Sequence, residues 1–484
     1  MGRINLLTLT RHEQSNYNIK VNKIGFERLL IVSNILFCLL FVVLCVNNRP
    51  ATDDFHFLDN VHKYGVFGGI AFEYNTWSPR WASVFITHLF LWIHEKTGIG
   101  LFLFGVVSFS LITISMFLFL QKLNSFLVLN NWVNKDFFSR KKLNLNVALF
   151  AVSILFLSTF RIGELWFWLC STSTYLWSNA FLLLGISGLL STSKSIRSHI
   201  FTTIPFIYIG GSCGPLSLIT LVILITLGIA AFYNLIKFDD KRTFLIKILL
   251  AFSTCLIAFG ILFMAEGNVH RSSFFKEIGL VESFILNIKM TGIILLKRVP
   301  FSLLLCLIFC SPLLLINSKP KEDKSVKNIW KKIVLLSFIY CLLIFLFQWS
   351  ITYKTQDVGA FRTLFFVNLL TLFYSAAVSY LLGNKLQKLR KFVIVEFPIA
   401  LFAATVVFGI LLYGQSYITS EYAFTYDNRI QFVKKNCTHN QTLLLDPLPK
   451  SGLLYSAEIS RDPLFFSNQH FKAGLMIDCD VRLK

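Results

Sequence analysis

Two adjacent acids stand out among the residues of this sequence that could do chemistry. Asp53 and Asp54 follow directly on an apolar run, in the stretch NRPATDDFH. Each carboxylate raises the pKa of its neighbour, because one negative charge disfavours ionisation of the other. A carboxylate tuned in this way suits a general base that accepts the proton of an incoming hydroxyl. The structural alternative is that Thr52 or Asp53 caps a helix over residues 54–64.

Two further groups combine acids with aromatic residues. The first group contains Glu73, Tyr74, Trp77 and Arg80, and the second contains Glu164, Trp166, Trp168 and Tyr175. In the second group, flat aromatic faces can stack on the C–H face of a sugar while the carboxylate accepts its hydroxyl protons, a pattern typical of a sugar site. The alternative is an aromatic belt at a membrane boundary.

Basic residues recur near the same kind of boundary. Asn268, His270 and Arg271 follow one apolar run, and Arg362 precedes another. A single arginine at an outer helix end can reach lipid headgroups by itself. Several on one face, with Arg80, indicate a site for a lipid phosphate, which a planar guanidinium binds bidentately. The sequence has no Walker loop, dinucleotide fingerprint or HExxH motif, which disfavours ATP-driven transport and metalloprotease activity.

The elements that must position these residues are membrane spans. Of the 484 residues, 55% are hydrophobic and the mean hydropathy is +0.65, whereas soluble domains are about 45–50% apolar. The apolar residues form runs long enough to cross a bilayer. We therefore predict an all-α polytopic membrane protein with about 11 transmembrane helices. The predicted spans are 28–46, 100–120, 145–160, 174–191, 199–212, 215–234, 244–264, 299–316, 332–349, 362–382 and 393–413.

Charge determines the predicted orientation. The formal net charge is +21, but Lys and Arg concentrate in short segments between apolar runs, such as 140–142, 319–332 and 385–391. The positive-inside rule then places the N-terminus in the cytoplasm and the C-terminus outside. This distribution also disfavours a nucleic-acid partner. The first span is expected to be a retained signal anchor.

Two apolar segments leave alternatives open. Residues 81–94 are too short to span and are predicted to form a helix in the membrane interface, or else a short buried helix. Residues 199–234 form either two short spans or a re-entrant hairpin around the GGSCGP turn.

The predicted outer parts are the loop 47–99, the segments 161–173 and 265–298, and a tail at 414–484. We divide the chain into a transmembrane domain, 1–413, and this tail, which is expected to form a small α/β unit with a strand-like run at 442–445. Cys437 and Cys479 lie in the tail. They form either a disulfide in an oxidising compartment or two free thiols.

This arrangement resembles the GT-C superfamily of integral membrane glycosyltransferases. A retained first span, an Asp-Asp pair at the start of the first outer loop, an in-plane helix and an outer tail all occur in that group. Residues 74–80, YNTWSPR, resemble the Y-x-x-W-S-G-R stretch of bacterial members, with Pro79 in place of Gly. The GELWFW run at 163–168 and Gly267-Asn268…Arg271 are also similar. The size and outer tail resemble phage-type O-antigen serotype-converting glucosyltransferases.

The resemblance implies an inverting transferase of the bacterial inner membrane. It would move a sugar, such as glucose, from a polyprenyl-phosphate carrier (undecaprenyl phosphate in bacteria) to a glycan or lipid-linked acceptor such as the O-antigen of lipopolysaccharide. It implies that Asp53 or Asp54 is the base and that Arg80, Arg271 and Arg362 bind the carrier phosphate. Glu164, Trp166, Trp168 and Tyr175 would then shape the sugar pocket. Some relatives need a divalent metal such as Mg or Mn, and two adjacent Asp without a third ligand leave this open.

Two other classes compete with this prediction. A transporter or flippase of lipid-linked sugar would show internal repeats with matching broken helices and acids near the bilayer midplane. The sequence shows no such repeat, and its acids lie near outer span ends. A structural membrane scaffold would leave that concentration of acids unexplained.

Overall fold

The computed structural model describes residues 11–130, 141–273, 278–311, 326–383, 387–439 and 441–484. Nearly all of the ordered secondary structure in these residues is helical. The helices are α1 Arg11–Asn47, α2 Asp53–Thr76, α3 Trp81–Thr97, α4 Gly100–Leu129, α5 Lys141–Leu157, α6 Leu169–Ser171, α7 Trp177–Leu189, α8 Ile196–Ser212, α9 Gly214–Phe232, α10 Lys241–Phe263, α11 Glu266–Ser272, α12 Leu280–Ile293, α13 Val299–Cys310, α14 Val326–Thr355, α15 Phe365–Gly383, α16 Gln387–Asn436 and α17 Phe466–Gly474.

Eight helical segments of the described residues are long and apolar enough to cross a membrane. They are Glu27–Asn47, Gly100–Leu129, Gly214–Phe232, Lys241–Phe263, Leu280–Cys310, Ile329–Thr355, Phe361–Leu382 and Pro398–Asn436. Such lengths match a hydrocarbon core of about 30 Å. The chain is therefore an all-α, multi-pass membrane protein, as the sequence predicted.

Three predicted spans correspond to shorter helices. The segments 145–160, 174–191 and 199–212 form α5, α7 and α8, which have 17, 13 and 17 residues. Helix α7 is preceded by wide turns of π type at Gly163–Phe167 and Thr172–Leu176 on either side of α6. The total of eleven spans stays a prediction. Helices α8 and α9 are separate and meet at Cys213, whose extended backbone interrupts the helical geometry.

Two helix boundaries differ from the predicted loops. Residues 280–298, predicted within an outer loop, are helical and run through a π turn at Ile294–Arg298 into α13. The last predicted span, 393–413, continues as helix α16 to Asn436. Beyond residue 413, Tyr422, Tyr426 and Val433 are buried among exposed neighbours. Hydropathy therefore missed this extension, because a helix with one apolar stripe has a low average hydrophobicity.

Phenylalanine packing joins helices α1, α5 and α16. The ring of Phe37 in α1 lies 5.2 Å from Phe408 in α16 and 5.4 Å from Phe156 in α5. Trp166 packs edge-on against Phe156 at 5.3 Å. Edge-to-face pairs of this kind add to the energy of burial. Through Trp166, this core also packs against the segment Gly163–Phe167.

Helix α2 folds back on itself at Gly65. This residue has φ 69°, a left-handed conformation that glycine adopts without the steric cost of a Cβ atom. Glu73 consequently contacts His56 at 2.7 Å, whereas seventeen residues of straight helix would span roughly 25 Å. The bend makes Asp53–Thr76 a compact helical hairpin.

The C-terminal tail forms a small α/β unit. Strand β1, Thr442–Leu445, pairs in parallel with β2, Asp480–Leu483, and α17 lies between them in the chain. A disulfide joins Cys437 to Cys479. The tail packs on α2, where the Phe471 and Phe55 rings are 5.0 Å apart.

Candidate functional site

A small cleft of about 70 Å³ gathers charged and aromatic residues from five parts of the chain. The start of α2, the turn before α3, the π-type segment around α6, α11 and the short 3₁₀ turn at Phe361–Leu364 all contribute. The lining residues are Asp53, Phe57, Trp77, Ser78, Arg80, Trp168, Cys170, Ser171, Tyr175, Arg271 and Arg362.

The two adjacent aspartates have different environments. Asp53 lines the cleft and is half-buried, whereas Asp54 is 2% exposed and accepts a 3.0 Å hydrogen bond from the Ala51 N–H through Oδ2. Burial raises the pKa of Asp53, and the basic groups of His470, His56 and Arg362 oppose that rise. Burial raises the pKa of Asp54 to about 8. Of the two aspartates, only Asp53 therefore lines the cleft.

The residue at the start of α2 is strained. Thr52 occupies the N-cap position with φ 40° and makes no side-chain capping hydrogen bond. A positive φ is unusual for a β-branched residue. Thr52 therefore occupies the predicted capping position without making the capping hydrogen bond. The strained turn directs Asp53 toward the cleft.

Arginines supply an excess of positive charge at the cleft. The positive charge of Arg80 and burial lower the pKa of Arg271 to about 10, so these two guanidinium groups repel each other across the site. Arg80 Nη2 lies 3.5 Å from the Tyr175 hydroxyl, and the Arg271 guanidinium is 5.8 Å from the centre of the Trp77 ring. Two repelling cations on one wall favour an anionic ligand between them.

Trp168 lies between a cation and a ring of the tail. The Arg362 guanidinium is 4.6 Å from the Trp168 ring centre, and Tyr455 stacks on Trp168 at 4.4 Å. Glu164 does not line the cleft. It binds Arg161 at 2.6 Å and lies 3.7 Å from Arg362, so its role here is to orient an arginine of the wall.

The other sequence candidates lie outside the cleft lining. The Tyr74 hydroxyl donates to the Ile261 carbonyl at 2.7 Å, and the Asn268 amide donates to the Leu262 carbonyl at 2.8 Å. Trp166 belongs to the core described above. Glu73 is fully buried beside His56, and His270 is exposed on α11. Seven of the candidates line the cleft together: Asp53, Trp77, Arg80, Trp168, Tyr175, Arg271 and Arg362.

Several residues at or near the cleft were missed by sequence reasoning. His56 lies one helical turn after Asp53, a spacing that places both side chains on one helix face and was a usable signal. Ser78 and Cys170 line the cleft within segments that had been singled out. Tyr455 and His470 come from the tail, and no local pattern connects them with α2.

In the part of the chain that the structure describes, no group of three or more His, Cys, Asp or Glu residues could hold a metal ion. In comparisons with protein-family models, curated proteins and solved structures, none matches this chain.

Proposed function

We propose that the protein is an inverting glycosyltransferase of the GT-C type, which transfers a sugar from a polyprenyl-phosphate carrier to a cell-envelope glycan. One observation carries the proposal: a single half-buried carboxylate, Asp53, shares a cleft with Arg80, Arg271 and Arg362 and with aromatic side chains. A base, a phosphate site and a sugar-stacking surface are the parts that such a reaction needs.

Asp53 takes the role of base in this reaction. Its carboxylate accepts the acceptor's hydroxyl proton as that oxygen attacks the anomeric carbon from the face opposite the phosphate. The new C–O bond forms while the bond from the anomeric carbon to the phosphate oxygen breaks, so the configuration inverts. The raised pKa of Asp53, caused by burial, makes its carboxylate a better proton acceptor than an exposed one.

The arginines stabilise the leaving group. As the anomeric C–O bond breaks, the carrier phosphate gains negative charge, and guanidinium groups already in position lower the energy of that state. Arg80 and Arg271 repel each other when the cleft holds no anion, and a bound phosphate removes that cost. The ring of Trp77 is suited to stack on the sugar ring, whereas the ring of Trp168 is held between Arg362 and Tyr455.

The membrane setting supports a lipid carrier as the donor. The cleft-forming segments adjoin helices of membrane-crossing length, and Arg271 lies in α11, directly after the apolar helix α10. We propose that the cleft opens on the outer face of the bacterial inner membrane, with the N-terminus cytoplasmic. The lipid would then enter from the side, and the acceptor from the extracytoplasmic space.

Transfer by the purified full-length protein tests the proposal. The protein is given a polyprenyl-phosphate sugar and candidate glycan acceptors, with Asp53→Asn and Asp54→Asn variants in parallel. The base variant should lose transfer by at least about 100-fold, whereas Asp54→Asn should stay within a few-fold of the wild type because its amide still accepts the Ala51 hydrogen bond. Full transfer by Asp53→Asn would show that the base is misassigned.

The same preparation distinguishes the transporter alternative. Reconstituted vesicles carry labelled lipid-linked sugar in one leaflet, and its appearance in the other is followed with time. Movement of the lipid without transfer to any acceptor would replace the enzyme proposal with that of a flippase.

A further inference from the structure

One face of α2 carries a line of polar residues from the cleft into the protein. Asp53, His56 and Asn60 are spaced three and four residues apart, so their side chains lie on the same side of the helix. Phe57, on this face, also lines the cleft. The line ends at Glu73, which the bend at Gly65 returns to the first half of the helix.

Glu73 has no access to solvent and holds His56 in place. Glu73 Oε1 accepts hydrogen bonds from His56 Nε2 at 2.7 Å and from the Asn60 amide at 2.6 Å. The exposed fraction of the Glu73 side chain is 0% and that of His56 is 28%. A buried carboxylate is costly unless a positive or strongly donating partner faces it, and here that partner is the imidazole of His56.

A second imidazole approaches from the tail. The His470 ring lies 4.9 Å from the His56 ring, so two positive charges there would repel each other. Glu73 bonds only to His56 of this pair. The arrangement therefore selects His56 as the imidazole that carries the charge. Burial and the charge of His56 lower the pKa of His470.

We propose that His56, held by Glu73, is a positioning residue that stands as a cation beside Asp53 and keeps the Asp53 carboxyl ionised, ready to accept a proton. The part of this inference that concerns catalysis rests on the proposed function, in which Asp53 is the base. It also reassigns Glu73, a substrate-binding candidate in the sequence, to the support of His56.

The charges around His56 agree with this role. Burial disfavours the imidazolium form of His56, but the hydrogen bond and negative charge of Glu73, with Asp53 and Asp59, outweigh burial and raise its pKa. The charged and titratable groups around His56, on its own helix and on the elements packed against it, are Asp53, Asp59, Glu73, His88, Arg362 and His470.

Titration of His56 tests the charge arrangement without any assay of activity. Full-length protein with ¹⁵N-labelled histidine is placed in nanodiscs, and the His56 signal is the one absent from His56→Gln. Its midpoint should lie above about 6.5, the ordinary histidine value. Glu73→Gln and Asp53→Asn should each lower it, since coupling between two charges is reciprocal. A midpoint that neither variant lowers would overturn the inference.

The pH profile of sugar transfer tests the catalytic meaning. His56→Gln should move the acid limb to higher pH by roughly one pH unit, because Asp53 loses a cation that favours its ionised form. Glu73→Gln should move it to higher pH by less than His56→Gln does, because this variant also removes the negative charge of Glu73, which raises the pKa of Asp53. The matched control is His62→Gln: His62 is on the same helix, 2.9 Å from Glu95, and does not line the cleft. Its profile should not move.

The outcomes separate the two proposals. If the wild type transfers sugar and His56→Gln leaves the acid limb in place, the role of His56 fails and the transferase remains. If the wild type transfers no sugar from any polyprenyl-phosphate donor while Asp53→Asn lowers the His56 midpoint, the proposed function fails and the charge coupling stands.

Discussion

The rings of Trp168 and Tyr455 stack with their centres 4.4 Å apart and their planes 13° from parallel. Trp168 lines the cleft, whereas Tyr455 belongs to the tail, almost three hundred residues later in the chain. A second contact lies nearby, since a Cβ added at Gly163 would meet the Leu454 carbonyl carbon at 2.6 Å. The tail is therefore part of the wall around the site.

Replacing Tyr455 should loosen the tail and weaken the site together. Tyr455→Ala removes an aromatic pair worth about 1 kcal/mol beyond its area of burial. Limited proteolysis of residues 441–484 should then be about fivefold faster, and sugar transfer should fall. Tyr455→Phe keeps the ring and is the control, so it should behave like the wild type in proteolysis. Equal protection of Tyr455→Ala and the wild type would show that the stack does not hold the tail.

The disulfide should stabilise the tail without supporting the membrane helices. Cys437 and Cys479 close a loop with a sequence separation of 42, and loop-closure entropy gives about 4 kcal/mol for such a length. Reduction, or a Cys437→Ser/Cys479→Ser double variant, should expose the tail to protease while the helix content by circular dichroism stays unchanged. Reductant should have no further effect on the double variant. A tail that stays protected after verified reduction would contradict this prediction.

The membrane class could be predicted from the sequence, because the length of an apolar run is read from consecutive residues and needs no knowledge of distant contacts. Seven residues that line the cleft could also be singled out from the sequence, because acids, arginines and aromatic residues clustered at the ends of apolar runs are unusual. The sequence did not distinguish Asp53 from Asp54. That difference arises from the turn at Thr52, where one carboxyl faces the cleft and the other bonds to the Ala51 backbone.

Long-range pairing could not be predicted from the sequence. The fold-back of α2 depends on one left-handed glycine, Gly65, and places Glu73 against His56. Likewise, His470 approaches His56 only because the tail packs on α2. Periodicity describes which face of an element is apolar, but it contains no information on which distant element covers that face.

Arg271 should favour ligand binding at the cost of stability. Arg271→Gln removes the repulsion with Arg80 that lowers the pKa of Arg271 to about 10. The free energy of unfolding should therefore rise by about 1 kcal/mol. The donor KM should increase by tenfold or more, because a charge-assisted hydrogen bond to phosphate contributes about 1.5–3 kcal/mol. Thermal melts and donor titrations measure the two effects.

The control for this pair of measurements is Arg482→Gln in the exposed part of strand β2. It changes the net charge equally and should change neither the melt nor the donor KM. If Arg271→Gln destabilises the protein and leaves the donor KM unchanged, the guanidinium has a structural role and the phosphate site does not include it.

Asp54 should make the protein more stable in mild acid than in mild base. Burial raises its folded pKa to about 8, whereas an unfolded aspartate has a pKa of about 3.9. Between these values the folded state holds a proton that the unfolded state has released, so stability falls as the pH rises. The full difference corresponds to at most about 6 kcal/mol. Melting temperatures of the wild type and Asp54→Asn between pH 5 and 8 measure this contribution.

The comparison of those two proteins isolates Asp54 from every other titrating group. The asparagine side chain of the Asp54→Asn variant carries no charge at any pH and still accepts the hydrogen bond from the Ala51 N–H, so the variant should lose only the pH-dependent part. The melting temperature of Asp54→Asn relative to the wild type should therefore increase steadily as the pH is raised toward 8. A constant difference across this range would mean that Asp54 is ionised in the folded protein, and that a cation or further donors stabilise its buried charge.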